Sequence, residues 1–162
     1  MLKIRAAIHN DATPMMLLHR EAIFLKASAS YDTNTLNAWA PGATPDRIAR
    51  VEEEIADPKF IVLIAEAAGQ IIGFAMAIPS TNELRAVYVK PNSVGNVGRR
   101  LLAELEDRAV KAGARFLACD ASLNAESFYK ANGYVAEGRA DHTLSSGSTV
   151  ACVQMRKNLP TA

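Results

Sequence analysis

The run ELRAVYVKPNSVGNVGRRLL, Glu83 to Leu102, joins an alternating apolar strand to a loop with two glycines and then to a helix start. Gly95 and Gly98 let the backbone turn, and Asn96 is the non-glycine type best suited to a left-handed position, so the N–H groups of Val94, Gly95, Asn96, Val97 and Gly98 can converge on one anion. Arg99 and Arg100 add positive charge at the helix start, where it opposes the helix dipole unless an anionic partner is present. Phosphate binding is the chemistry these types support. The same pattern also describes a plain strand–loop–helix connection with solvated arginines, and spacing alone leaves both open.

About thirty residues on, CDASLNAESFYKANGY, Cys119 to Tyr134, reads as a strand end, a short helix and a turn. Together the two segments resemble the GCN5-related N-acetyltransferase superfamily. That family follows a YVxP-like strand end with a Q/R-x-x-G-x-G/A loop, onto which Ser93, Val94, Gly95, Asn96, Val97 and Gly98 fall. Its second segment, N-x-x-x-x-F-Y-x-x-x-G-F/Y, is matched in register by Asn124, Phe128, Tyr129, Gly133 and Tyr134. The loop departs from the pattern: Ser93 replaces Gln or Arg, Asn96 replaces the first glycine of G-x-G, and Pro91 to Gly98 is one residue short.

The resemblance implies an α/β fold with a mixed, mostly antiparallel central sheet, a parallel splayed pair and flanking helices. It implies acetyl-coenzyme A as cosubstrate and no metal. The coenzyme would be held by the strand backbone from Val87 through Tyr88 to Val89, by the loop from Val94 to Gly98, and by Arg99, Arg100, Asn124 and Tyr129. An N–H near Val89 would polarise the thioester carbonyl.

Acyl transfer to an amine needs a neutral amine, a stabilised oxyanion and a proton for the departing thiolate. Tyr129, with a reference phenol pKa of about 10, matches the family tyrosine near the coenzyme sulfur; the alternative is a core aromatic beside Phe128. Asn124 is either a contact to the coenzyme arm or a helix cap after Leu123. Glu83, at the start of the central strand, is the first candidate base, set against the commonplace exposed strand-end glutamate. Tyr31 and Trp39 offer an aromatic wall for the acceptor, or a core plug. His142 is the second candidate for proton transfer, or a solvated histidine.

The 162 residues, 49% hydrophobic, suit one sizeable core, and a single domain spanning 1–162 is expected. With 18 basic and 17 acidic residues the net charge is +1, which supplies no general field for nucleic acid or a membrane surface. Cys119 and Cys152 lie in apolar runs and read as buried free thiols, and no secretion signal is visible, so a cytoplasmic location is expected. The three histidines have no metal-ligand spacing. The expected partner is a small-molecule or peptide amine. A homodimer through the apolar terminal hairpin, with Val150, Val153 and Met155, is a further expectation. A different class of protein, a non-catalytic coenzyme-A-binding sensor or scaffold, would also carry the altered loop.

Periodicity places a strand at Leu2–Ile8, a helix from Asp11 or Thr13 to Ala27 with Met15, Leu18, Ala22 and Leu25 on its buried face, and a second helix from Thr44 with Ile48, Val51 and Ile55 inward. Strands follow at 60–65, 71–78, 83–89 and 115–121, helices at 98–112 and 125–131, and a final hairpin turns at Ser145–Gly147.

Overall fold

The structure is a computed structural model that describes residues 1–161. Seven strands, β1 (Lys3–Ala6), β2 (Ile61–Ala67), β3 (Gln70–Ile78), β4 (Glu83–Val89), β5 (Phe116–Ser122), β6 (Val135–Thr143) and β7 (Thr149–Asn158), form one sheet in the order β1-β2-β3-β4-β5-β7-β6. Five helices, α1 (Ala12–Lys26), α2 (Thr33–Trp39), α3 (Pro45–Ala56), α4 (Val97–Lys111) and α5 (Glu126–Ala131), cover its faces. All neighbours pair antiparallel except β4 and β5.

The pair β4 and β5 decides where a ligand can enter. They meet at one register position, Glu83 opposite Ala118, with the Ala118 N–H donating to Asn82 O at 2.9 Å. Beyond it the strands part. A register shift lies where Met76 and Ala77 of β3 face Ala86 and Leu84, leaving Arg85 as the extra residue on β4. Such a bulge bends and twists its strand, which is the local reason β4 leaves β5.

Alternation along β4 sends side chains to two cores. Leu84, Val87 and Val89 pack with α4, whose Leu101, Leu102 and Leu105 are fully buried against the sheet. Ala86 and Tyr88 face the opposite layer, where Met15, Met16 and Leu18 of α1 and Val51 of α3 close over Val62, Ile64, Phe74 and Met76.

Several expectations need correction. Leu25 is 63% exposed, and Ile23 takes the inward place instead. Asp11 stands at the N-cap of α1 but its carboxylate makes no cap bond; it accepts from Ile8 N at 2.8 Å and from both terminal nitrogens of Arg5. Thr33–Trp39, to which periodicity assigns no element, is a helix whose Asp32 side chain accepts from Thr35 N–H at 2.8 Å. Val150, Val153 and Met155 are buried because β7 runs inside the sheet, so the edge available for strand pairing is β6. Both cysteines are buried and unbridged.

Candidate active site

The loop from Pro91 to Asn96 turns through three positive-φ positions, Asn92 (63°), Gly95 (89°) and Asn96 (56°), the last being the N-cap of α4. The helix therefore begins at Val97, one residue earlier than periodicity suggested. Its first amides have no intrahelical acceptors, the first such bond being Arg100 N–H to Asn96 O. Arg99 and Arg100 are exposed on this first turn, the Val97 side chain is buried in the core, and Val94 is 88% exposed. The departures at Ser93 and Asn96 thus still leave free N–H groups at a positively flanked helix start, which fits an anion.

A channel of about 180 Å³ runs from this helix start along β4. It is lined by Ile23 and Lys26 of α1, Val87 to Val89, Gly98, Asn124 and Phe128. Gly98 is favoured by close approach. A Cβ there would stand 3.2 Å from the Phe128 ring and 3.4 Å from a Val89 methyl.

Lys90 N–H bonds Ile72 O on the β3 side at 2.8 Å, so alternation turns the peptide groups of Val87 and Val89 toward the parted edge. Lys26 Nζ donates to Val89 O at 3.2 Å, which shows that carbonyl reaching into the channel. Burial lowers the Lys26 pKa. An unpaired strand edge, a glycine-cleared wall and a helix start in series fit an extended amide chain ending in phosphate.

On the far side of Tyr88 the split opens into a cleft of about 390 Å³ whose walls include Trp39, Glu83, Arg85, Cys119, Asp120, Glu137 and His142. A second hollow of about 330 Å³ shares Trp39, Arg85, Tyr88 and His142 with it and reaches His19, Arg47, Arg50 and Glu54. Tyr88 borders the channel and both hollows. Burial holds its phenol above the ordinary range, with the Trp39 indole opposing the shift.

Glu83 reaches the cleft, but its carboxylate lies 3.5 Å from Arg85 Nε. His142 Nδ1 lies 2.9 Å from Asp120 Oδ2, a pairing that local pattern does not reveal because β7 intervenes between their strands. Tyr129 is 6% exposed, edge-on to Phe128 and Tyr134. Burial, then the nearby Cys119 and Tyr88, raise its pKa well above that of a free phenol, which keeps it protonated. Phe128 lines the channel and Tyr129 packs behind it in the core near Cys119, so the expected thiol-side tyrosine lines neither the channel nor either hollow.

Asn124 sits in the 3-10 turn before α5 and lines the channel; the cap position of α5 belongs to Ala125. Tyr31 is a strut rather than a free wall. Its hydroxyl donates to Ala151 O at 2.6 Å and accepts from Leu123 N–H at 2.9 Å, while its ring stands edge-on to Trp39 at 5.5 Å.

Known proteins share this fold. The family model described as the acetyltransferase (GNAT) domain matches residues 28–159. The chain belongs to the GNAT acetyltransferases. A GCN5-related N-acetyltransferase structure from Rhodopseudomonas palustris, also described as an aminotransferase, class II, is 30% identical over 97% of this chain and 95% of its own, with a TM-score of 0.85. The PaiA N-acetyltransferase of Thermoplasma acidophilum, solved in complex with coenzyme A, is 21% identical over 98% and 99%, with a TM-score of 0.78. YncA, a putative acetyltransferase of Salmonella typhimurium solved with acetyl-CoA, is 20% identical over 99% and 95%, with a TM-score of 0.70. No curated protein sequence matches.

The site also holds residues that periodicity does not flag: Lys26 in the channel, Asp120 behind His142, and Arg47, Arg50 and Arg85 around the second hollow. One signal was available for α3. Arg47, Arg50 and Glu54 repeat at i, i+3 and i+7 beside the apolar stripe of Ile48, Val51 and Ile55, which places them on one neighbouring face. Among the described residues no group of three His, Cys, Asp or Glu is arranged to hold a metal ion, and no helix is long and apolar enough to cross a membrane.

Proposed function

We propose that this GNAT chain is a single-domain cytoplasmic enzyme that moves acetyl from acetyl-coenzyme A directly to a primary amine of a small molecule or peptide. The observation that carries this reading is the parting of β4 from β5 after Glu83. It puts the Val87 and Val89 peptide groups on a free edge and opens that edge into a cleft lined by proton-accepting side chains.

When bound, the coenzyme supplies an acetyl group activated as a thioester. The helix start at Val97–Arg99 and the exposed Arg99 and Arg100 hold its phosphates, and the β4 edge orients its amide arm. An N–H near Val89 stabilises negative charge developing on the acetyl oxygen. His142 takes the proton from the amine. It is chosen over Glu83 because Asp120 orients its ring toward the shared cleft, whereas Glu83 is committed to Arg85. Tyr129, held protonated, donates to the departing sulfur.

Calorimetric titration with acetyl-coenzyme A and free coenzyme A, followed by a thiol-release screen across primary amines, tests the proposal. Binding with amine-dependent thiol release is expected. Binding without turnover on any amine would favour a sensor, and no binding would remove the coenzyme site.

A further inference from the structure

The two hollows beyond Tyr88 carry opposite charge. The cleft at the β4–β5 split holds three carboxylates, Glu83, Asp120 and Glu137, with Arg85 and His142. The adjoining hollow holds three guanidinium groups, Arg47, Arg50 and Arg85, against one carboxylate, Glu54.

Arg47 is the informative member. It is half-buried, with Nη1 on Gly42 O at 2.7 Å and Nη2 3.4 Å from His19 Nδ1, and among the described residues neither it nor Arg50 forms an ion pair. Beneath it the His19 ring is 7% exposed and held neutral, its pKa lowered to about 3 by burial and by Arg47 itself. Burial and the neighbouring Arg50 also press on the Arg47 cation. A guanidinium kept partly out of water beside another cation and a neutral ring is electrostatically costly unless an anion completes it. Glu54 does not do so for Arg47; its carboxylate lies 3.9 Å from Arg85 and interacts with the Arg85 and Arg50 charges, while burial raises its pKa.

Resting on the acetyltransferase reading, we propose that the acceptor is a small zwitterion with its amine and its anionic group at opposite ends, such as an ω-amino acid, whose anionic group sits against Arg47 and Arg50 while its amine faces Glu83, Asp120 and His142. Arg85, common to both hollows, stands between the two ends. The Trp39 and Tyr88 rings wall the body of the ligand. A guanidinium fork recognises a carboxylate in two-point fashion, so an ester or amide of the same amine loses that recognition and meets unpaired cations.

The test compares a set of free ω-amino acids with their methyl esters and amides in acetyl-coenzyme A-dependent thiol release, and titrates the same compounds into the protein–coenzyme A complex by calorimetry. The free acids should bind and react with apparent affinity at least about tenfold better than their esters. Arg47→Gln should erase that ratio while coenzyme affinity stays unchanged. Arg50→Gln, at an exposed position that tolerates change, should reduce it in the same direction should Arg47→Gln fail to fold. Esters or amides that bind as well as the acids would overturn the proposal. Acid-selective binding that needs the arginines, without turnover, would uphold the subsite and overturn the enzymatic reading alone.

Discussion

His142 on β6 reaches across β7 to place Nδ1 2.9 Å from Asp120 Oδ2 on β5, at the wall of the cleft into which the parted strands open. With Nδ1–H donated to the carboxylate, Nε2 is left as the accepting nitrogen, the tautomer that deprotonating an ammonium requires. His142→Gln should lower kcat about 10²- to 10⁴-fold with coenzyme affinity unchanged, and Asp120→Asn should do so by a smaller factor. Steady-state kinetics with a working acceptor decides it. A fully active His142→Gln would return the role to Glu83, and Glu83→Gln is the matching control.

Gly98 sets the width of the coenzyme channel. Since a Cβ would stand 3.2 Å from the Phe128 ring and 3.4 Å from Val89, a branched side chain has to displace one of them or fill the channel. Gly98→Val should weaken coenzyme A binding by about tenfold or more, a loss of at least about 1.4 kcal/mol. Calorimetry reads this directly, and undiminished affinity would mean the coenzyme does not pass this wall.

Tyr129 tests the departing-thiol step. Its burial behind Phe128 and edge-on to Tyr134 means the phenol ring is also part of the core, so the substitution has to preserve the ring. Tyr129→Phe keeps the packing and removes the hydroxyl alone. Turnover should fall about a hundredfold while coenzyme affinity and thermal midpoint stay close to those of the native chain. A lowered midpoint with normal turnover would mark the hydroxyl as structural.

The central strand and the loop after it were legible because their chemistry is local. β4 spans Glu83–Val89 as its alternation indicates, and Asn96 adopts the left-handed conformation its residue type favours. The Ile48, Val51 and Ile55 stripe predicted α3, since Thr44 and Pro45 are local start signals: the Thr44 hydroxyl accepts from Arg47 N–H. What stayed hidden depends on neighbours set by topology. Asp120 meets His142 only because β7 is inserted between their strands, and Lys26 meets Val89 only because the end of α1 lies over the parted edge. Leu25 was misassigned for a related reason. Periodicity finds an apolar face but not the helix rotation, which the α3 and β3 packing fixes with Met15, Leu18 and Ala22 inward.

His19 makes the fold itself sensitive to acid. Its ring is 7% exposed, edge-on to Tyr88 at 4.6 Å, and its pKa is lowered from 6.5 to about 3 by burial first and by the Arg47 charge second. In the unfolded chain the imidazole takes a proton near its ordinary value, while in the folded chain it refuses one until about pH 3. Between those values the unfolded state binds more protons, so the contribution is fully present above about pH 6.5 and is lost as the pH falls. At about pH 5 this amounts to roughly 2 kcal/mol of lost stability from this one group. His19→Gln, which cannot titrate, should unfold with a midpoint that changes less between about pH 7 and pH 4 than that of the native chain. The paired carboxylates, such as Asp11 against Arg5, contribute equally to both proteins and cancel in the comparison. Denaturant unfolding at several pH values measures the difference, and parallel curves for the two proteins would mean that water or a shifted ring relieves His19 of its buried position before it has to charge.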